Sequence, residues 1–280
     1  MLWFGRAAIG EHADVRRLTR VALPRQTPHM PSLMDIVRYT DDYLRLDVCV
    51  DWPNALNGLE VENSGRVEKI GAAVDASTRV ISEAVDHGVH LLVVHHGLFW
   101  PGLQPVTGGL YRQLKLALEN DVAVYSAHLP LDIHPVVGNN AQFAALLGLR
   151  KTEPFLEVKG QCIGLRSQAS VQRAELAIKA EQSLGGAVKS FFFGPEETRT
   201  IGLVTGGAGG EIYAIAREGV DTFITGEAPH WAAIAAEELK LNLLLGGHYA
   251  TETFGVKALG AHLSEKFSVP WEFIDAPTGL

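Results

Sequence analysis

A chain of 280 residues, 47% hydrophobic and 20% charged, has the composition of a folded globular protein and the length for one large domain or two. Its formal net charge of −8 argues against a broad nucleic-acid-binding face, which would be basic, although a local basic patch stays open. The only cysteines, Cys49 and Cys162, lie far apart without a CxxC spacing, which excludes a thiolate metal cluster or a disulfide framework and fits a reducing cytosol.

No apolar run reaches the roughly 18 residues of a membrane-spanning helix, so no membrane partner is expected. Residues 1–33 stand apart. Arg6, Arg16, Arg17, Arg20 and Arg25 face only Glu11 and Asp14, and no long apolar core of the secretory kind is present. A transit peptide and an over-long start, with Met30 and Met34 as alternative initiators, are both open, and the segment is expected to be poorly ordered.

Ser32 is placed to cap a helix over 34–46. Residues 50–63 read as irregular. Then come a strand over 69–75, a helix over 78–86 and a strand over 90–94. That strand, Leu91-Leu92-Val93-Val94, runs straight into His95-His96-Gly97, and its apolar run reads as a strand buried on both faces. A Gly- and Pro-rich loop covers 101–109, followed by a helix over 110–119, a strand over 122–126 and a helix from about 140 to 147 ended by Gly148. Beyond it lie one or two strands in 154–166, a helix over 171–183, and strands over 187–193 and 200–205. The run Gly206-Gly207-Ala208-Gly209-Gly210 reads as a tight turn. It could hold a phosphate, but it lacks the Gly-Lys-Ser/Thr of a nucleotide loop. The rest alternates: helix 211–218, strand 221–225, helix 231–239, strand 241–245, helix 251–267 and strand 271–274. Strands and helices alternating at these lengths mean an α/β protein.

Ile70-Gly71 followed by Gly88-Val89 recurs as Ile201-Gly202 followed by Gly219-Val220, each position displaced by 131 with no gap. One unit further on, a strand leads to His128 with Asp132 four residues later, and in the second half a strand leads to His248 with Glu252 four later. The expected architecture is two similar α/β lobes, 34–150 and 151–280, packed face to face around a cleft.

Functional side chains in such folds sit beyond the carboxyl ends of strands. Adjacent residues of a strand point to opposite faces, so His95 and His96 chelate a single ion poorly but can diverge toward two. The bland alternative is one satisfied and one solvent-facing histidine. His248 and Glu252 share a face if a helix starts near His248; a capping histidine and a solvated first-turn glutamate are the alternative. Asp132 lies in a loop stiffened by Pro130 and Pro135, and a turn aspartate is its plain reading. His128 could be a ligand, a supporting group or a proton carrier, and His134 reads as structural or at the rim. Trp100, Trp231 and Tyr249 lie near these residues in sequence and could stack on a base or wall off the site, or equally pack in the core. His95, His96, Asp132, His248 and Glu252 suit Zn, Fe, Mn or Ni better than Ca or Mg. They are too many for one open zinc site and about right for two ions, with Glu252 bridging.

Val93-Val94-His95-His96-Gly97, His128-Leu-Pro-Leu-Asp132 with Gly138-Asn139-Asn140, and Gly247-His248-Tyr-Ala-Thr-Glu252 together resemble the Nif-three-like dinuclear-metal family, also known as the GTP cyclohydrolase I type 2 family. The likeness runs from about residue 34 to 274. It implies two similar α/β lobes with a two-metal site between them, and a toroidal homohexamer with the sites facing an internal cavity. The ligands it implies are His95, His96, Asp132, His248 and Glu252. Residues 151–198 are too few for the extra domain of longer relatives, so the chain resembles the compact form. Some members are described as opening the imidazole ring of GTP. The expected activity is therefore metal-dependent hydrolysis of a nucleotide-like small molecule, with two divalent ions per subunit and His128 as a catalytic proton carrier. The alternative is a non-catalytic metal-binding ring that stores or delivers ions or scaffolds a partner. A cytoplasmic location is expected for either.

Overall fold

The computed structural model describes residues 31–280. All but the last three residues of the amino-terminal extension lie outside that range. The first half of the chain runs α1 (Leu33–Leu44), β1 (Gly58–Val61), β2 (Ile70–Asp75), α2 (Thr78–Asp86), β3 (Leu91–His96), α3 (Gly108–Glu119), β4 (Ala123–Ser126), α4 (Leu129–Asp132) and α5 (Asn139–Leu146). The second half runs β5 (Thr152–Val158), β6 (Gln161–Gln172), α6 (Arg173–Leu184), β7 (Lys189–Phe192), β8 (Glu197–Val204), α7 (Ile212–Arg217), β9 (Thr222–Thr225), α8 (His230–Leu239), β10 (Asn242–Leu245), α9 (His248–Phe267) and β11 (Trp271–Phe273). Ser32 does cap α1, in a capping box with Asp35.

The strands form two sheets, in the orders β1-β4-β3-β2-β11 and β5-β6-β8-β9-β10-β7. Each contains a parallel three-strand core with consecutive strands adjacent: β2-β3-β4 in one, β8-β9-β10 in the other. The registers match across the expected offset, since Ile70 pairs with Leu91 and Ile201 with Thr222.

Both sheets are covered on both faces, which is why their strands are continuous apolar runs. Along β3, Leu91 and Val93 pack with Leu33, Ile36 and Val37 of α1 and Val256 and Leu259 of α9. Leu92 and Val94 face the other way, toward Val80 and Ile81 of α2 and Leu110 of α3. In the second sheet, Phe223 and Leu243 pack with Ile212, Ile215 and Ala232, while Ile201, Leu203 and Ile224 pack with Phe143, Leu176 and Ala180. Burying each of these larger side chains is worth roughly 1.5–3 kcal/mol.

Several elements differ from the sequence expectation. The stretch 50–63 is not wholly irregular; it holds β1, a four-residue edge strand antiparallel to β4, too short to show a period. Residues 154–166 are parts of two strands. Pro154 is tolerated because β5 lies at the edge of its sheet. The one-turn helix α4 replaces the expected loop after His128, with a proline in its first turn. Finally, α9 begins at His248 rather than residue 251.

α9 joins the two sheets. It starts where β10 of the second sheet ends, but its body lies on β2 of the first. Its approach to α5 is close: a Cβ on Gly255 would stand 2.8 Å from Asn139 Oδ1, which accepts the Gly255 N–H. β11 then pairs in parallel with β2, Trp271 opposite Ile70, so the chain ends in the first sheet.

Candidate metal centre

The crevice at the carboxyl ends of β3, β4, β8 and β10 collects every residue singled out by spacing. β3 delivers His95 and His96 as its last two residues, and His128 precedes α4, which ends on Asp132. α9 opens on His248 and carries Glu252 one turn later on the same face.

Each of the four imidazoles has an acceptor on its outer nitrogen. His95 Nδ1–H donates to the Ala127 carbonyl at 2.9 Å, and His96 Nδ1–H to Asp75 Oδ1 at 2.8 Å. His248 Nδ1–H donates to Glu227 Oε1 at 3.0 Å, and His128 Nδ1–H to Asp51 Oδ1 at 3.0 Å. A carbonyl or an ionised carboxylate can only accept, so each ring keeps a proton on Nδ1 and turns Nε2 to the cluster. This is the arrangement that orients histidine ligands on metals.

The Nε2 atoms of His95, His96 and His248 converge on Glu252. Its Oε1 stands 3.4 Å from His95 Nε2, and its Oε2 stands 3.4 Å from His96 Nε2 and 3.2 Å from His248 Nε2. Asp132 Oδ1 is 3.6 Å from His95 Nε2 and is held by Asn139 Nδ2 at 2.8 Å and Thr205 Oγ1 at 3.3 Å. These approaches are close, yet the buried His95 Nε2 and Glu252 Oε2 have no hydrogen-bond partner among the described residues. A lone pair aimed at a carboxylate is repulsive unless a proton or a cation lies between them.

The charge balance agrees. Burial opposes protonation of His95, but Asp132 and Glu252 override it and push its pKa up to about 10. His248 is likewise pushed up to about 9, against burial, by Glu252 and Glu227. Burial alone would raise Glu252; the surrounding imidazoles hold it far below the usual carboxylate range instead. A metal ion entering the cluster would displace these protons. Three sets of ligand atoms, each within 4.8 Å of one another, could hold an ion: His95–Asp132–Glu252, His96–His248–Glu252 and His95–His96–His128.

The glycine run after β8 is a tight turn that passes into a 3-10 turn over Ala208–Glu211. Its first glycine serves the cluster. Gly206 has φ +70°, and a Cβ there would lie 2.2 Å from Glu252 Oε1. His134 turns away from the crevice. Its Nε2–H donates to the Tyr43 carbonyl, and its Nδ1 accepts the N–H groups of Val136 and Val137. Trp100 does flank the site, 4.6 Å from the His128 ring and 5.6 Å from His96. Trp231 does not; it stacks on Tyr213, and both are exposed. Tyr249 is buried and bonded through its hydroxyl to Asp275 and to the Ala276 N–H.

Sequence reasoning missed the outer carboxylates Asp51, Asp75 and Glu227, along with Thr205, and quoted Asn139 in a motif without a role for it. For Asp75 a signal existed. It ends β2 as His96 ends β3, and the two are register partners.

Fold and site thus define a mixed α/β chain with a buried histidine–carboxylate cluster that could hold a metal ion. The Duf34/NIF3 (NGG1p interacting factor 3) family model matches residues 31–278, and the chain belongs to that family. It is 41% identical over 249 residues to a GTP cyclohydrolase 1 type 2 homolog of Pyrococcus abyssi, covering 88% of this chain and 98% of that protein. A protein of the same name from Deinococcus radiodurans is 36% identical over 248 residues, covering 88% of this chain and 94% of that one. Among solved structures, TTHA1606 from Thermus thermophilus superposes with a TM-score of 0.80 at 39% identity, over 89% of this chain and 100% of that one. No helix among the described residues is long and apolar enough to cross a membrane.

Proposed function

We propose that the protein is a dinuclear metal-dependent hydrolase of a nucleotide-like small molecule, with His95, His96, Asp132, His248 and Glu252 as ligands. One observation carries the proposal: the two oxygens of the buried Glu252 face different imidazoles, Oε1 toward His95 and Oε2 toward His96 and His248. A carboxylate so placed is suited to bridge two cations. Ions held there would supply Lewis-acid activation of water and of the scissile group. The chain itself fixes the ligands through Asp75, Glu227 and the Ala127 carbonyl, and holds Asp132 with Asn139 and Thr205. In this reading His128, its Nδ1–H held by Asp51 beside the cluster, carries a proton on Nε2.

The name of the relatives supports GTP as the first substrate to try. The matching registers of β2–β3 and β8–β9 support a duplicated α/β unit with the metal cleft between its copies. A cytoplasmic homohexamer belongs to the same proposal. The exposed Tyr213–Trp231 pair offers apolar surface for a neighbouring copy, and light scattering measures the assembly.

The test is metal content per chain by mass spectrometry, on wild type and Glu252→Ala. About two transition-metal ions in wild type, falling below one in the variant, is expected. One ion or none, unchanged by the substitution, would sink the dinuclear reading. Tight retention with no turnover of nucleotides, phosphodiesters or cyclic amides would favour metal storage or delivery instead.

A further inference from the structure

The cluster opens into a cavity of about 830 Å³, the size of a site for one small molecule. Its charged lining is one-sided. Asp75, Asp132, Glu211 and Glu252 contribute carboxylates, and none of the described residues that line it is a lysine or an arginine. Lys159, outside that lining, lies with its Nζ 4.5 Å from the Trp52 ring centroid and is engaged there. A triphosphate is recognised by cations, commonly through bidentate arginine or a lysine point charge. A nucleotide whose reacting ring lay at the metal cluster would meet, among the described lining residues, no positive side chain to take its phosphates.

The rest of the cavity suits an uncharged flat molecule. Trp100 and Trp52, both partly exposed, line it near His128, with ring centroids 4.6 and 6.1 Å from that imidazole. Leu98 and Leu110 from the first half of the chain and Ile163 of β6 add apolar wall. Neutral hydrogen-bonding groups are present as well. Gln113 donates from Nε2 to the Ala76 carbonyl at 2.9 Å, which leaves its Oε1 as an acceptor, and Gln104 lies nearby on the lining. Indole faces, amides and apolar wall are the means by which proteins hold heteroaromatic rings.

We infer that the site selects an uncharged planar heterocycle of the cyclic-amide type, a nucleobase or nucleoside rather than its triphosphate, stacked on Trp100 beside the cluster. The inference rests on the hydrolase reading above and narrows its substrate class.

Guanosine and GTP serve as probes, titrated calorimetrically and by tryptophan fluorescence into the metal-loaded protein and into the same protein after chelation. Guanosine should bind about tenfold or more tightly than GTP in both states. Trp100→Ala should weaken guanosine by about tenfold or more, within the roughly 5- to 150-fold that one base–aromatic stack is worth, while metal content holds. Glu211→Lys should narrow the gap by strengthening GTP, and Lys159→Ala should leave guanosine binding where it was. The inference is overturned if GTP binds wild type as tightly as guanosine, if Lys159→Ala costs GTP its affinity, or if guanosine does not bind. Metal content on the same samples reports separately on the hydrolase reading. A chain that holds no metal but still prefers guanosine would sink that reading and leave the ligand class standing.

Discussion

His128–Asp132 and His248–Glu252 have the same spacing and opposite uses. His248 opens a 20-residue helix, so its Nε2 and Glu252 share a face and meet at 3.2 Å. His128 stands before a one-turn helix with φ −90° and ψ −107°, outside helical geometry, and its imidazole pairs with Asp51 instead of Asp132. Asp132 turns to His95. Four residues of separation fix a geometry only when the backbone between them is helical throughout. Here the second pair works as one unit, and the first supplies two independent parts.

The sharpest way to break this comparison is to remove each histidine. His248→Ala takes away a proposed ligand and should cost more than about 100-fold in metal affinity, beyond the loss typical of outer-shell changes. His128→Ala should cost less than about tenfold in metal affinity, yet lower kcat by about 10²–10⁴. Equal metal losses would mean that His128 is a ligand of the same rank. Competition with a chromophoric chelator measures the first quantity, and turnover at saturating metal the second.

Next in size is Gly206→Ala, aimed at the helical pair from across the crevice. Its φ of +70° and the 2.2 Å approach of a Cβ to Glu252 Oε1 leave the methyl group no room. A loss of about 1–3 kcal/mol in urea unfolding is expected, with reduced metal retention. Unaltered metal content would show that Glu252 has more freedom than its contacts suggest.

Smaller effects come from the carboxylates behind each histidine. Asp51 is only 5% exposed at its side chain and also accepts the Leu129 N–H and the Asn57 amide; Glu227 is 50% exposed. Glu227→Gln should cost metal affinity at the lower end of about 10–100-fold. Asp51→Asn should leave metal affinity nearly intact and lower turnover through His128.

The smallest effect is on the pH dependence of stability, and it contrasts two buried carboxylates. Burial would raise Asp51, but the bonds from His128, Asn57 and Trp52 hold its pKa below the ordinary carboxylate value. Glu60, on β1, accepts the Leu98 N–H, and its Oε1 is without a partner among the described residues. Burial pushes its pKa up from 4.5 to about 7. A raised folded-state pKa means the folded chain binds the extra proton, so this contribution is present below about pH 4.5 and is lost as pH rises to about 7. Glu60→Gln should flatten the stability profile in that window. A depressed pKa has the opposite sign, so Asp51→Asn should remove part of the stability lost on acidification below about pH 4. Denaturation midpoints between pH 4 and 8 check the first, and those below pH 4 the second.

The order of strands and helices was legible because both sheets are covered on two faces, which makes each central strand a plain apolar run. The histidines and acids of the cluster were legible because they end those runs. What was hidden depends on pairing. Asp75 meets His96 only because β2 and β3 are neighbours in register, and Glu227 meets His248 only because the end of β9 lies beside the start of α9. Asp51 comes from a loop with no period at all. The crossing of α9 onto the first sheet had no local signal, since its apolar face packs on residues far away in the chain.

That crossing, together with β11, sets an order in time. Ile70 and Trp271 are strand partners roughly 200 residues apart, so at about 5–20 residues per second a ribosome makes β2 about 10–40 seconds before β11. Through that interval β2 presents a bare hydrogen-bonding edge, the kind of surface that recruits other chains. His95 and His96 are equally early and wait for the helix that carries His248 and Glu252. Metal capture is therefore expected to be a late, post-synthetic event, and arrested nascent chains lacking α9 should remain protease-sensitive and hold no ion.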